Sequence, residues 1–86
     1  MQWTLCEHDG LPGMVAVVAV SKAEARKVRR AGGVLFDSYE VAAANEYAAN
    51  YPDPTYEGLY GKPLGKWSRC RIEGQRIFVP SQEKAA

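Results

Sequence analysis

The sequence predicts a small α+β domain: a single layer of mixed or antiparallel β-sheet with two helices on one face, in the order β-β-α-β-α-β-β. Three observations predict it. Polar and apolar residues alternate over the first seven positions, and a valine-rich run follows them. Two segments with helix caps and helical spacing come next, and a hairpin pattern closes the chain. Eighty-six residues, 47% apolar and 24% charged, suit one domain with a thin core. That domain is assigned to residues 1–80, with 81–86 as a mobile C-terminal tail.

In Met1 to Glu7, Met1, Trp3 and Leu5 fall on one side and Gln2, Thr4 and Cys6 on the other. This is the period of a half-buried strand. Asp9-Gly10-Leu11-Pro12-Gly13 is turn chemistry. Met14 to Val20 then runs apolar on both faces with four valines, which favours an interior strand. The two strands read as a hairpin whose second member is central in the sheet.

Ser21 and Glu24 form a capping-box signature, and the helix they open should run to about Ala31, stopped by Gly32-Gly33. Ala25, Val28 and Ala31 would face the sheet. Val34-Leu35-Phe36 is a short strand candidate. Asp37, with Glu40 three residues on, caps a second helix that ends before Pro52. Its stripe toward the sheet is Val41, Ala44, Tyr47, Ala48 and Tyr51.

Pro52 to Lys66 has three prolines, three glycines and no periodicity, the length and make-up of a functional loop. Arg69 to Val79 reads as a hairpin on a type II′ turn at Gly74-Gln75. That register sets Ile72 against Ile77 and Cys70 against Val79 on a core face. Glu73 then meets Arg76, and Arg71 meets Phe78, on a polar face where Phe78 would be exposed.

Chemistry finds little support. Two cysteines are too few for a disulfide framework or a four-thiolate zinc site. His8 is the lone histidine, and a dyad with Cys6 lacks an orienting third group. Cys6, His8 and Cys70 match no metal-binding spacing, and Cys70 is expected in the core. Gly61 to Lys66 fails as a phosphate loop, because Tyr60 stands where a Gly-Lys pair at Gly65-Lys66 needs its glycine five residues earlier, and Trp67 follows Lys66 in place of Ser or Thr. Asp53 and Glu57 read as turn formers rather than paired acid and base. No catalytic residue, metal or cofactor is therefore expected. With no signal peptide visible, and an apolar stretch of only Met14 to Val20, the expected setting is cytoplasmic, away from membranes.

Charge is more informative. A net charge of +1 conceals three blocks: residues 21–31 hold five bases and one acid, 37–57 five acids and no base, and 62–76 five bases and one acid. On the first helix, Lys22, Arg26, Arg29 and Arg30 follow the i, i+4, i+7, i+8 pattern and form a ridge fit for an acidic protein surface or phosphates. Its competing explanation is a solvated face whose arginines complement the helix dipole. Lys62, Lys66, Trp67, Arg69, Arg71 and Phe78 make a second candidate surface, basic and aromatic together. Tyr56 and Tyr60 join it from the loop, while Trp67 is read as core.

These features favour a non-enzymatic protein that binds a protein partner. A nucleic-acid binder is the alternative, opposed by the acidic block, and an open sheet edge leaves room for a homodimer. In size and build alone the chain resembles the small accessory proteins of bacteriophages and mobile elements, anti-CRISPR proteins among them. That resemblance implies an inhibitor occupying a surface of a host nucleic-acid-handling complex; it rests on no residue signature and transfers no functional residue.

Overall fold

A computed structural model describes residues 1–51 and 65–80. The elements are β1 (Gln2–Glu7), β2 (Val15–Val20), α1 (Lys22–Arg30), α2 (Tyr39–Asn50), β3 (Gly65–Ile72) and β4 (Gln75–Pro80). The α+β class holds. The strands form one antiparallel four-stranded sheet in the order β2-β1-β4-β3. The loop from Pro52 and the tail 81–86 fall outside the described residues, apart from the strand residues Gly65 and Lys66.

Two expectations about the sheet are corrected. β1 is the inner strand, and β2, read as central, lies at the edge. β2 is apolar on both faces because a helix packs above it and another below, not because strands flank it on both sides. The fifth strand, at Val34 to Phe36, shortens to a bridge in which Phe36 and Trp3 exchange both backbone hydrogen bonds, at 2.9 and 2.8 Å.

The helices also lie on opposite faces of the sheet rather than on one. Adjacent strand residues point to opposite faces. Leu5 packs with Val15, Phe36 and Phe78 against Ala42 of α2. Its neighbour Cys6 packs with Val20, Ile72 and Ile77 against Ala25 and Val28 of α1. The sheet is thus the middle of three layers, and β1 is buried on both sides, with Thr4, Leu5 and Cys6 all inaccessible. On the α1 side the Thr4 hydroxyl donates to the Val34 carbonyl at 2.6 Å, anchoring the segment that carries the chain from one face to the other. Gly33 makes that passage fit: a Cβ there would stand 2.7 Å from the Ile77 side chain and 2.8 Å from that of Val28.

The terminal hairpin turns one residue earlier than expected. Glu73 and Gly74 both have positive φ, 52° and 86°, as a type I′ turn requires. Ile72 therefore pairs with Gln75 and Arg71 with Arg76, in place of the Ile72–Ile77 and Glu73–Arg76 pairs. Like the expected type II′ turn, a type I′ turn matches the right-handed twist of the strands it joins, and here Gly74 takes its second central position. A bulge between Ser68 and Arg71 then resets the ladder so that Ser68 meets Ile77. Phe78, expected on an exposed polar face, is buried under α2, because that face of the sheet has its own covering helix.

Candidate functional site

The first candidate surface is built on α1. Ser21 and Glu24 form the reciprocal capping box: the Glu24 N–H donates to Ser21 Oγ at 3.1 Å, and the Ser21 N–H donates to Glu24 Oε1 at 2.7 Å. At the other end Gly33 N–H bonds the Val28 carbonyl and Gly32 N–H that of Arg29, a Schellman arrangement with Gly32 at φ +87°. Ala25 and Val28 lock one side of the helix onto the sheet. Both ends and the inner face are thereby fixed.

The outer face carries Lys22, Arg26, Lys27, Arg29 and Arg30, all exposed. Nine residues place them along about 13 Å of helix. No carboxylate among the described residues lies within ion-pair distance of any of the five. Glu24, the one acid on the helix, is committed to the cap. Arg29 and Arg30 also sit in the last turn, where they complement the helix dipole, so the structural explanation for these two holds as well. Beside the ridge a shallow cleft of about 190 Å³ is lined by Lys27, Arg30, Ala31 and Cys70. It is smaller than typical small-molecule sites.

The second expected surface is only partly brought together. Tyr56, Tyr60 and Lys62 lie outside the described residues. Lys66 and Arg69 belong to β3, Lys66 opposite Val79 and Arg69 in the bulge. Arg71 is exposed, and its guanidinium donates to the Gly74 carbonyl at 2.9 Å across the turn. Phe78 leaves the set, since its side chain is core.

The sequence reading missed a third surface. On α2 the buried side is Ala42, Asn45 and Ala48, whose small side chains let the helix lie close to the sheet. The expected stripe was therefore rotated: Tyr47 and Tyr51 point outward, each 54% exposed, with their rings 5.0 Å apart. Tyr39 is exposed too, its ring edge-on to Trp3 at 6.0 Å. The cap is Ser38 rather than Asp37, with Ser38 Oγ accepting from the Val41 N–H. The run Ala42, Asn45, Ala48 and Ala49 was the signal for the buried side, but tyrosine apolarity outweighed it. Glu40 and Glu46 lie on this helix, so an acidic, tyrosine-bearing helix covers the sheet face opposite the basic one. Partial burial pushes the Glu46 carboxyl above its ordinary value, with His8 opposing.

Of the groups tested for chemistry, Cys6 and Cys70 share the core on the α1 side, while His8 stands at the surface. Burial pushes the Cys6 thiol up to about 11, so it is not the thiolate a nucleophile requires. His8 is exposed, its Nδ1 accepting from the Gly10 N–H at 3.1 Å. Cys70 packs at the margin of the core, with Sγ 3.5 Å from the Lys27 carbonyl. Among the described residues no group of three His, Cys, Asp or Glu side chains could hold a metal ion, and no helix is long and apolar enough to cross a membrane. Comparison with known proteins finds no matching family model, no matching curated protein and no matching solved structure.

Proposed function

We propose that this protein is a non-catalytic contact module that docks the basic ridge of α1 onto an acidic surface of a protein partner. One observation carries the reading: five exposed cations stand on a helix rigid at both ends, with no carboxylate partner among the described residues. A solvated face needs no such anchoring, whereas a fixed array of arginines gives a partner's carboxylates geometric targets. The exposed tyrosines of α2 support the same class, because tyrosine and arginine are the residues that contact surfaces favour. Occlusion of a host nucleic-acid-handling complex is the finer form of this proposal.

A second reading, phosphate binding by the same ridge, gains from the three-layer order. The acids of α2 lie beyond the sheet, on the opposite face from α1, so they do not crowd a polyanion on the ridge. The net charge of +1 still provides little long-range steering.

The test compares the wild type, the charge reversal R26E/R29E/R30E, and E40K/E46K as a control on the other face. The ridge variant should keep its circular dichroism spectrum and lose a partner captured from bacterial lysate, while the control retains it. Capture unchanged by the ridge variant, or unfolding of that variant, would overturn the proposal. Mobility shifts with duplex and single strands at two salt concentrations decide the second reading. Binding that falls steeply with salt, with a log–log slope of up to about −4.5 for five duplex phosphates, would favour it.

A further inference from the structure

We propose that β2 is the seam of a two-fold homodimer, in which the β2 strands of two copies pair antiparallel about Val18 and join two four-stranded sheets into one. β2 is an edge strand, and its two backbone directions are distinguishable. Ala16, Val18 and Val20 face β1, continuing the bond from the His8 N–H to the Met14 carbonyl. Val15, Val17 and Ala19 therefore aim their N–H and C=O groups at the open side.

Val15 is already satisfied. Its N–H donates to Asn50 Oδ1 at 2.7 Å, and its carbonyl accepts from Asn50 Nδ2 at 2.9 Å, so the α2 amide substitutes for a neighbouring strand. The far end is closed as well, because the Ser21 N–H is bound by Glu24. Between these stops, Val17 and Ala19 have no hydrogen-bond partner for their outward backbone groups among the described residues. Val17 is half-buried and Ala19 exposed.

The open segment fits a second copy of itself. Antiparallel pairing centred on Val18 sets Val17 against Ala19 of the other copy, and Ala19 against Val17. Four hydrogen bonds then use every outward group of both residues on both copies. A longer register would collide with Asn50 at one end and the α1 cap at the other, so the stops define the pairing. Val-Ala-Val-Val-Ala-Val contains no charge to repel its twin, and none of the lysine, proline or bulge that usually protects an edge. The pairing also closes on itself, giving a dimer rather than a fibre through this edge.

Sedimentation over a concentration series should show a reversible species of twice the 9.5 kDa chain. Ala19→Pro removes one outward N–H without touching the β1 ladder, and should weaken the dimer about tenfold or more while the circular dichroism spectrum is retained. A second measurement does not depend on that variant folding. In a Cys70→Ser background, Val18→Cys places two thiols at a directly opposed non-hydrogen-bonded pair, where Cα atoms lie about 4.5 Å apart and a disulfide can form. Oxidation should link V18C into dimers much faster than Leu11→Cys, which sits in an exposed turn. A chain that stays monomeric at every concentration while V18C fails to link overturns the proposal. So does a dimer that survives A19P while V18C links no faster than L11C.

Discussion

Thr4 shows how one side chain can hold an architecture. It is fully buried, and its hydroxyl satisfies the Val34 carbonyl on the segment between α1 and α2. Replacing Thr4 with Val keeps the shape but leaves a buried carbonyl without its donor. The expected loss is about 1–3 kcal/mol in urea unfolding, with Thr4→Ser recovering much of it. Alternation in the sequence placed Thr4 on the polar side of a half-buried strand. That assignment was right in direction and wrong in environment, because the side in question is covered by α1. Cys6 shares this outcome: placed with Thr4 on the polar side by alternation, it is a core thiol in the fold.

Elements were most legible where both ends carry their own chemistry. The α1 caps, Ser21 with Glu24 and Gly32 with Gly33, are local hydrogen-bonding devices that require no tertiary information. The basic ridge was legible for the same reason, since helical spacing alone sets which residues share a side. The β3–β4 turn was harder, because two glycine-containing registers differ by a single residue and both turn types suit the strand twist. The choice leaves Glu73 at φ 52°, a left-handed conformation that penalises a side chain. Glu73→Asn creates the Asn-Gly pair that type I′ turns favour. It should stabilise the fold by about 0.5–1 kcal/mol in thermal or urea unfolding. A neutral or destabilising result would mean that Glu73 makes a compensating contact.

Across the three layers the charges are segregated, with α1 basic on one face and α2 acidic and tyrosine-rich on the other. Among the described residues one ion pair spans distant parts of the chain: Arg76 of β4 donates to both carboxylate oxygens of Glu7 of β1, at 2.9 and 2.6 Å. The Arg76 hydrogen bonds, then that from the Gly13 N–H, hold the Glu7 carboxyl below its ordinary value of 4.5. Folding thus favours the ionised form. Its stabilising contribution is complete at neutral pH and is lost as acid titrates Glu7 through its lowered value. The stability difference between wild type and Glu7→Gln should therefore be largest near neutrality and shrink as the pH falls below the ordinary carboxylate range in denaturant titrations. A difference that stays constant as the pH falls would show that the pair is not coupled to folding.

Helix positions, caps, the β1–β2 hairpin and the α1 ridge follow from interactions within a few residues of one another, and the amino-acid order sets them. Strand order, the burial of both sheet faces and the outward turn of Tyr47 and Tyr51 depend on where distant segments dock. A run such as Val15 to Val20 looks alike whether strands or helices cover it. Hydrophobic burial has no direction along the chain, so local pattern reports that a surface is covered but not what covers it. Packing settled that for β2, placing a helix on each face and, among the described residues, pairing it with a strand on one side alone.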